Sequence, residues 1–226
     1  MSGRAVPLAD GVWRIPTSVG DLVNAVAVRE ADGSLTLIDP GLRLRFARRR
    51  LRAGLAVLGA APADVRRIVV THAHVDHVGG LASLVADSQA EVHAHERESV
   101  YLRDGRTPRM QRGRPGSFPP VTVAEEFLDG SLLAGGLRVV HTPGHTPGHV
   151  SLVHEPTGVL VTGDALFNVR GIRHCPGWLC TDPALTRKSA DVLGDLDFEV
   201  AAFMHGPEVR HGAREAVRAF LRGRKR

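Results

Sequence analysis

An apolar run, Ile68-Val69-Val70, passes directly into Thr71-His72-Ala73-His74-Val75-Asp76-His77-Val78-Gly79-Gly80. Four groups able to bind a metal, His72, His74, Asp76 and His77, fall within six residues. Imidazoles and carboxylates crowded at the end of a buried strand need partners, because burying polar groups unpaired is costly. In an extended segment, residues two apart project to the same side, so His72 and His74 face one point. Asp76 and His77 follow at the turn into the next segment, where they face a second point nearby. A lone histidine is commonly a packed or surface residue; four such groups at this density predict a metal centre.

A second histidine cluster is His141-Thr-Pro-Gly-His145-Thr-Pro-Gly-His149. Spacing of four would align the rings on a helix, but the prolines and glycines forbid one. The segment reads as a tight turn, and its own residues do not say which of His141, His145 and His149 reaches a metal.

Around these clusters the chain alternates strands and helices. Strands are expected within Leu22–Glu30, Ser34–Gly41, Glu91–His95, Leu137–Pro143, Val150–Glu155, Gly158–Asp164 and Phe198–Gly206. Apolar residues recur at helical spacing from Leu44 to Leu58, and further helices are expected within His77–Ser88, Ala184–Leu193 and Ala213–Leu221. Residues 97–120 are rich in Arg, Gly and Pro and read as a long loop, a candidate substrate lid. Its Arg103, Arg106, Arg109, Arg112 and Arg114 suit a small-molecule substrate carrying a carboxylate or phosphate. The pattern is that of a layered α/β protein, one domain over residues 1–226, with polar motifs where strands end.

Composition narrows the class. With 43% hydrophobic residues a chain of 226 buries a substantial core. No apolar run approaches the roughly 20 residues of a membrane helix, and the N-terminus lacks a signal-peptide pattern. Two cysteines are too few for a disulfide framework, so a cytoplasmic protein is expected. A net charge of +5 and a pI near 10.2 raise the question of nucleic acid. The arginines are dispersed among acids, however, and their clusters at Arg43–Arg52 and in the C-terminal RGRKR read as a solvated helix face and a tail. Aromatics at 4% offer little stacking surface, so nucleic acid is not the expected partner.

His72-x-His74-x-Asp76-His77 resembles the signature of the metallo-β-lactamase superfamily. Further segments similar to family motifs follow in order: Asp39 in LIDPG, His145 in TPGHTPGH, Gly163-Asp164 and His205-Gly206, so that the resemblance runs from about Val12 to His205. It implies a four-layer αββα sandwich and two adjacent metal ions. The first would be held by His72, His74 and His145, the second by Asp76, His77 and His205, with Asp164 bridging. Asp39 would support the site without ligating, and His149 is read as a neighbour of the ligand His145. These donors suit Zn2+, with Fe or Mn as alternatives. The chemistry implied is hydrolysis: two ions share a hydroxide that attacks a carbonyl, and Asp76 handles protons.

Departures refine the resemblance. Asp164 stands where one group of true β-lactamases has cysteine, and Phe167 where quorum-quenching lactonases typically have tyrosine. Gly163-Asp164-Ala165-Leu166-Phe167 is similar to the glyoxalase II-like branch, although the chain stops soon after His205, where glyoxalase II adds a helical domain. The expectation is a glyoxalase II-like hydrolase of a thioester, ester or lactone. A mononuclear iron persulfide dioxygenase, similar to the same branch, and a metal-dependent nuclease of the superfamily stand as alternatives. In His174-Cys175-Pro-Gly-Trp178-Leu179-Cys180, thiols five apart fit a loop flanking the active site better than a separate zinc or redox site, with Trp178 and Leu179 lining an apolar pocket. His93, His95, His154 and His211 have no motif context and read as structural or surface groups.

Overall fold

The first half of the chain turns back on itself through hairpins and then through helical crossovers. The computed structural model describes residues 5–112 and 114–223; residues 224–226 of the basic tail lie outside the described residues. Strands β1 (Val6–Ala9), β2 (Val12–Pro16), β3 (Asn24–Arg29) and β4 (Leu35–Ile38) are successive antiparallel neighbours. Asp32 and Gly33 make the β3–β4 turn: the Asp32 carboxylate accepts the Ser34 N–H at 2.9 Å. Strands β5 (Val65–Val70), β6 (Glu91–His95) and β7 (Glu125–Phe127) then add in parallel, giving a seven-stranded sheet in chain order. Parallel neighbours need crossovers. Here these are α1 (Arg45–Val57), α2 (Val75–Val78) with α3 (Leu81–Ser88), and α4 (Glu96–Asp104).

The second half builds a five-stranded sheet from β8 (Leu132–Leu133), β9 (Leu137–His141), β10 (Val150–His154), β11 (Val159–Val161) and, after a hairpin β12 (Leu166–Asn168)–β13 (Ile172–His174), β14 (Val200–Ala202). Its order is β14-β11-β10-β9-β8, and β14 pairs with β11 in parallel. Helix α5 (Pro183–Ala190) precedes β14 and α6 (Ala213–Arg222) follows it.

Strand alternation explains how the layers stack. In β3, Ala25 and Ala27 face α1 with its Leu51 and Leu55, while Val26 and Val28 face the second sheet. In β11, Val159 and Val161 meet the first sheet, while Leu160 joins Ala190 of α5 and Val217 and Leu221 of α6. Three apolar clusters therefore separate four layers: helices, sheet, sheet, helices. The αββα sandwich expected from the sequence is the one observed. No described helix is long and apolar enough to cross a membrane.

Residues 97–104 differ from expectation, because α4 runs to Asp104 and the loop begins at Gly105. Only Leu102 is apolar among the helix's buried residues Glu98, Ser99 and Leu102, so no periodic stripe announces it. Its start is stabilised locally: His95 Nδ1 accepts the Arg97 N–H at 3.2 Å, and Glu96 and Glu98 lie in the first turn, where negative charge is favoured. The remaining loop is docked on the segment around Trp178. Gln111 N–H donates to the Cys180 carbonyl at 2.9 Å, Arg112 N–H to that of Trp178 at 3.2 Å, and the Thr181 hydroxyl to that of Arg109 at 2.9 Å. The last helix of the expected set before β14 also ends early, at Ala190, with a 3-10 turn over Asp191–Gly194.

Candidate metal centre

The ends of strands from both sheets converge on one cluster. From the first sheet come Asp39 after β4, His72 and His74 after β5, and Asp76 and His77 on α2. The second sheet supplies His145 from the β9–β10 turn, Asp164 after β11 and His205 after β14. His72, His74 and His145 form one group whose donor atoms lie within 4.8 Å of one another; Asp76, His77 and His205 form a second on the same criterion. Asp164 stands between them. Its Oδ2 lies 3.2 Å from His145 Nε2 and 3.9 Å from His72 Nε2, and its Oδ1 lies 3.3 Å from His77 Nε2 and 3.2 Å from His205 Nε2. Every position singled out from the sequence as a ligand is thus brought together.

Hydrogen bonds on the far side of the rings fix which nitrogen faces inward. The Thr71 hydroxyl donates to Asp39 Oδ2 at 2.5 Å, so it accepts from His72 Nδ1–H at 3.0 Å. His77 Nδ1–H donates to Asp39 Oδ2 at 2.8 Å, and Thr71 N–H to Asp39 Oδ1 at 2.9 Å. His205 Nδ1–H donates to the Leu22 carbonyl, which can only accept. His145 Nδ1 lies 3.3 Å from Cys175 Sγ and 3.8 Å from Cys180 Sγ. Nε2 of His72, His77, His145 and His205 thus faces Asp164 or another ring: His72 and His145 Nε2 atoms are 3.0 Å apart, and those of His77 and His205 are 3.2 Å apart.

The donor set fits divalent ions. His74 Nε2 is buried without a hydrogen-bond partner, a situation that proteins avoid unless something else satisfies the atom. Burial holds His72 and His145 well below the usual histidine pKa and takes His74 to about 4, keeping them in the neutral form that ligates. Burial also acts to raise the Asp164 pKa, but His205, His77 and His145 overcome it and hold the group well below the usual carboxylate range. For His77 burial works downward, and Asp164, Asp76 and the Asp39 hydrogen bond raise it to about 10.

His149 supports Asp164. Its Nε2 accepts the Asp164 N–H at 2.7 Å, and its Nδ1–H donates to the Thr142 carbonyl at 3.0 Å. Gly163 makes room for it, since φ there is +53° and a Cβ would come within 2.5 Å of His149 Nε2. His141 turns away from the centre; it stacks on His95 with centroids 4.3 Å apart and its Nε2–H donates to the Pro147 carbonyl at 3.1 Å.

Four residues at the site were not assigned a role from the sequence. Thr71 links Asp39 to His72, the Leu22 carbonyl orients His205, and Cys175 and Cys180 face His145. The cysteines come together because Pro176 and Gly177 start a 3-10 turn over Gly177–Leu179, closed by Cys180 N–H donating to the Gly177 carbonyl at 3.2 Å. His174 takes no part in that cluster, its ring lying 5.1 Å from Phe220. Leu179 packs against Phe167 and both cysteines, as a loop flanking the site would, whereas Trp178 is 54% exposed.

Comparison with known proteins identifies the family. The sequence model of the metallo-beta-lactamase superfamily matches residues 19–212. The uncharacterized protein YobT of Bacillus subtilis (strain 168) is 30% identical over 90% of this chain and 91% of its own length. A hydroxyacylglutathione hydrolase of Methylobacillus flagellatus is 32% identical over 64% of this chain, which spans only 48% of that enzyme. Among solved structures, a metallo-beta-lactamase family protein from Thermus thermophilus superposes with a TM-score of 0.74 at 28% identity, covering 97% of this chain and 81% of that one. Shared sequence pattern, shared four-layer fold and a converging His/Asp cluster at the strand ends place this chain in the metallo-beta-lactamase superfamily of metal-dependent hydrolases.

Proposed function

We propose that the chain is a binuclear hydrolase of the glyoxalase II-like branch that cleaves a thioester, ester or lactone. One observation carries the reading: two groups of three donors face opposite oxygens of one buried carboxylate, Asp164, at 3.2–3.3 Å from the nearest imidazole of each. His72, His74 and His145 would hold one ion, Asp76, His77 and His205 the other, and Asp164 both. Zinc suits these donors, with iron or manganese as alternatives. When bound, such ions polarise a carbonyl and lower the pKa of water towards neutrality.

The remaining work falls to the chain. Asp164 sets the separation of the two groups, and Asp39 and Thr71 hold His77 and His72 in the tautomer with a free Nε2 lone pair. Asp76 stands at the edge of the centre, its carboxylate a third exposed, 3.5 Å from His205 Nε2 and 3.7 Å from His77 Nε2. That position lets it take a proton from the attacking water and return it to the leaving group. The Phe167 ring, 4.3 Å from that of His205, supplies an apolar wall. The loop 105–120, docked beside Cys180, brings exposed Arg109 and Arg112 to the same side as His145 and suits an anionic substrate.

The test is metal analysis of the purified protein together with a panel of thioesters, lactones, β-lactams and phosphodiesters. About two transition-metal ions per chain and hydrolysis abolished by His72→Ala and Asp164→Ala are expected. One iron per chain with oxygen consumed on a persulfide, or metal-dependent RNA cleavage, would overturn it.

A further inference from the structure

Glu98 is fully buried on the first turn of α4, yet it belongs to neither group of donors. Its Oε2 accepts the Ala73 N–H at 2.8 Å, and its Oε1 accepts the Gly148 N–H at 2.8 Å. Ala73 lies between His72 and His74, on the strand end of the first sheet. Gly148 lies in the turn that carries His145, between strands of the second sheet. One side chain therefore ties together the two segments that supply the first donor group.

Two further contacts place α4 against that turn. A Cβ on Gly148 would come within 2.9 Å of Glu98 Cγ and of the Glu98 backbone nitrogen, so glycine is what lets the helix approach. At the helix start, His95 stacks on His141 with an interplanar angle of 15°, and His141 grips the turn through Pro147. A buried carboxylate is a demanding choice for a merely structural tie: burial lifts its pKa to about 7 against the two N–H donors. Its advantage is geometric. A carboxylate accepts both N–H groups at once, whereas a glutamine amide accepts one and opposes the other with its own donors.

We propose that Glu98 is a positioning residue for the first metal group, setting the distance between the His72–His74 segment and the His145 turn. The inference rests on the metal-centre reading above. Ligand distances at zinc must hold to within about 0.2 Å, so a small shift of one segment against the other detaches a donor.

The experiment is titration of the metal-free full chain with Co2+, followed by visible absorption and chelator competition, for wild type and Glu98→Gln. The variant should bind one of two equivalents about tenfold or more weakly, with altered absorption bands, while the other keeps its wild-type affinity. Unchanged cobalt affinity and spectrum beside a lowered melting temperature would overturn the proposal, leaving Glu98 a structural tie only. So would a loss spread equally over both equivalents. If Glu98→Gln does not fold, Glu98→Asp, which keeps the charge on a shorter arm, must show the same selective weakening or the proposal fails. A wild-type chain that binds no cobalt would overturn the metal-centre reading itself, a different failure.

Discussion

Replacing Asp39 by asparagine changes almost no volume and should disable half of the centre. Asp39 Oδ2 accepts from His77 Nδ1–H and the Thr71 hydroxyl, and Oδ1 accepts the Thr71 N–H. In Asp39→Asn the amide has two orientations. With its oxygen towards the Thr71 N–H, the NH2 faces His77, which must accept there and so move its proton to Nε2, the atom aimed at the second group. With the amide reversed, NH2 opposes the Thr71 N–H and orphans it. Ligation by His77 then has to regain what the buried charge-assisted hydrogen bond supplied, about 1.5–3 kcal/mol. At about 1.36 kcal/mol per decade this is roughly a 10- to 150-fold loss of affinity. His72 is reached only through Thr71, so the first group should weaken less. Calorimetric titration of the metal-free variant with zinc resolves the two steps. Wild-type affinity at both sites, or a larger loss at the His72 group, would refute the tautomer argument.

Other perturbations test other links. Chelation should lower the melting temperature by about 5–10 °C per ion removed if each was at about 100 times its dissociation constant, and an unchanged scan would count against structural metal. Gly206→Ala, at φ +104° with a Cβ 2.1 Å from the Asn168 carbonyl oxygen, should cost about 3 kcal/mol or more and displace His205, read by denaturant melts and metal content. Metal-free protein should lose stability as pH falls from about 6.5 to 4. His74 and His149, lowered to about 4, refuse protons that the unfolded chain takes up at about 6.5. Glu98, raised to about 7, runs the other way over about 7 to 4.5, and His77, raised to about 10, loses its contribution only above about 6.5, so a flat acid limb would refute the assignment. Deleting residues 106–117 should raise KM for an anionic substrate while leaving metal content unchanged; identical kinetics would remove the lid reading.

What was legible in the sequence follows from contact range. His72, His74, Asp76 and His77 fall within six residues running from the end of β5 into α2, so their density alone signals a metal centre. Asp164 and His205 are isolated in sequence and His145 is one of three histidines in a turn, so only the ordered resemblance to family motifs singled these three out. Glu98 and the cysteines of the His145 face could not be read this way. Glu98 meets Ala73 and Gly148 across 25 and 50 residues, and Cys175 meets His145 across 30. Helix α4 escaped for a related reason: its buried side is defined by a carboxylate and a hydroxyl rather than by apolar periodicity. Strands β3 to β6, β9 to β11 and β14 and the amphipathic helices, whose burial is written in period 2 or 3.6, were placed to within a few residues, whereas the other strands, β2 among them, were not singled out.

The division of ligands between the two sheets also orders events in time. Asp76 and His77 leave the ribosome long before His205, which completes their group; at about 5–20 residues per second the gap is roughly 6–25 s. The first group is likewise incomplete until His145 emerges. During that interval the nascent chain carries a cluster of imidazoles able to hold a metal only loosely. On the binuclear reading proposed above, tight binding would need the second sheet docked, so uptake of the ions would report that both halves have been made and joined.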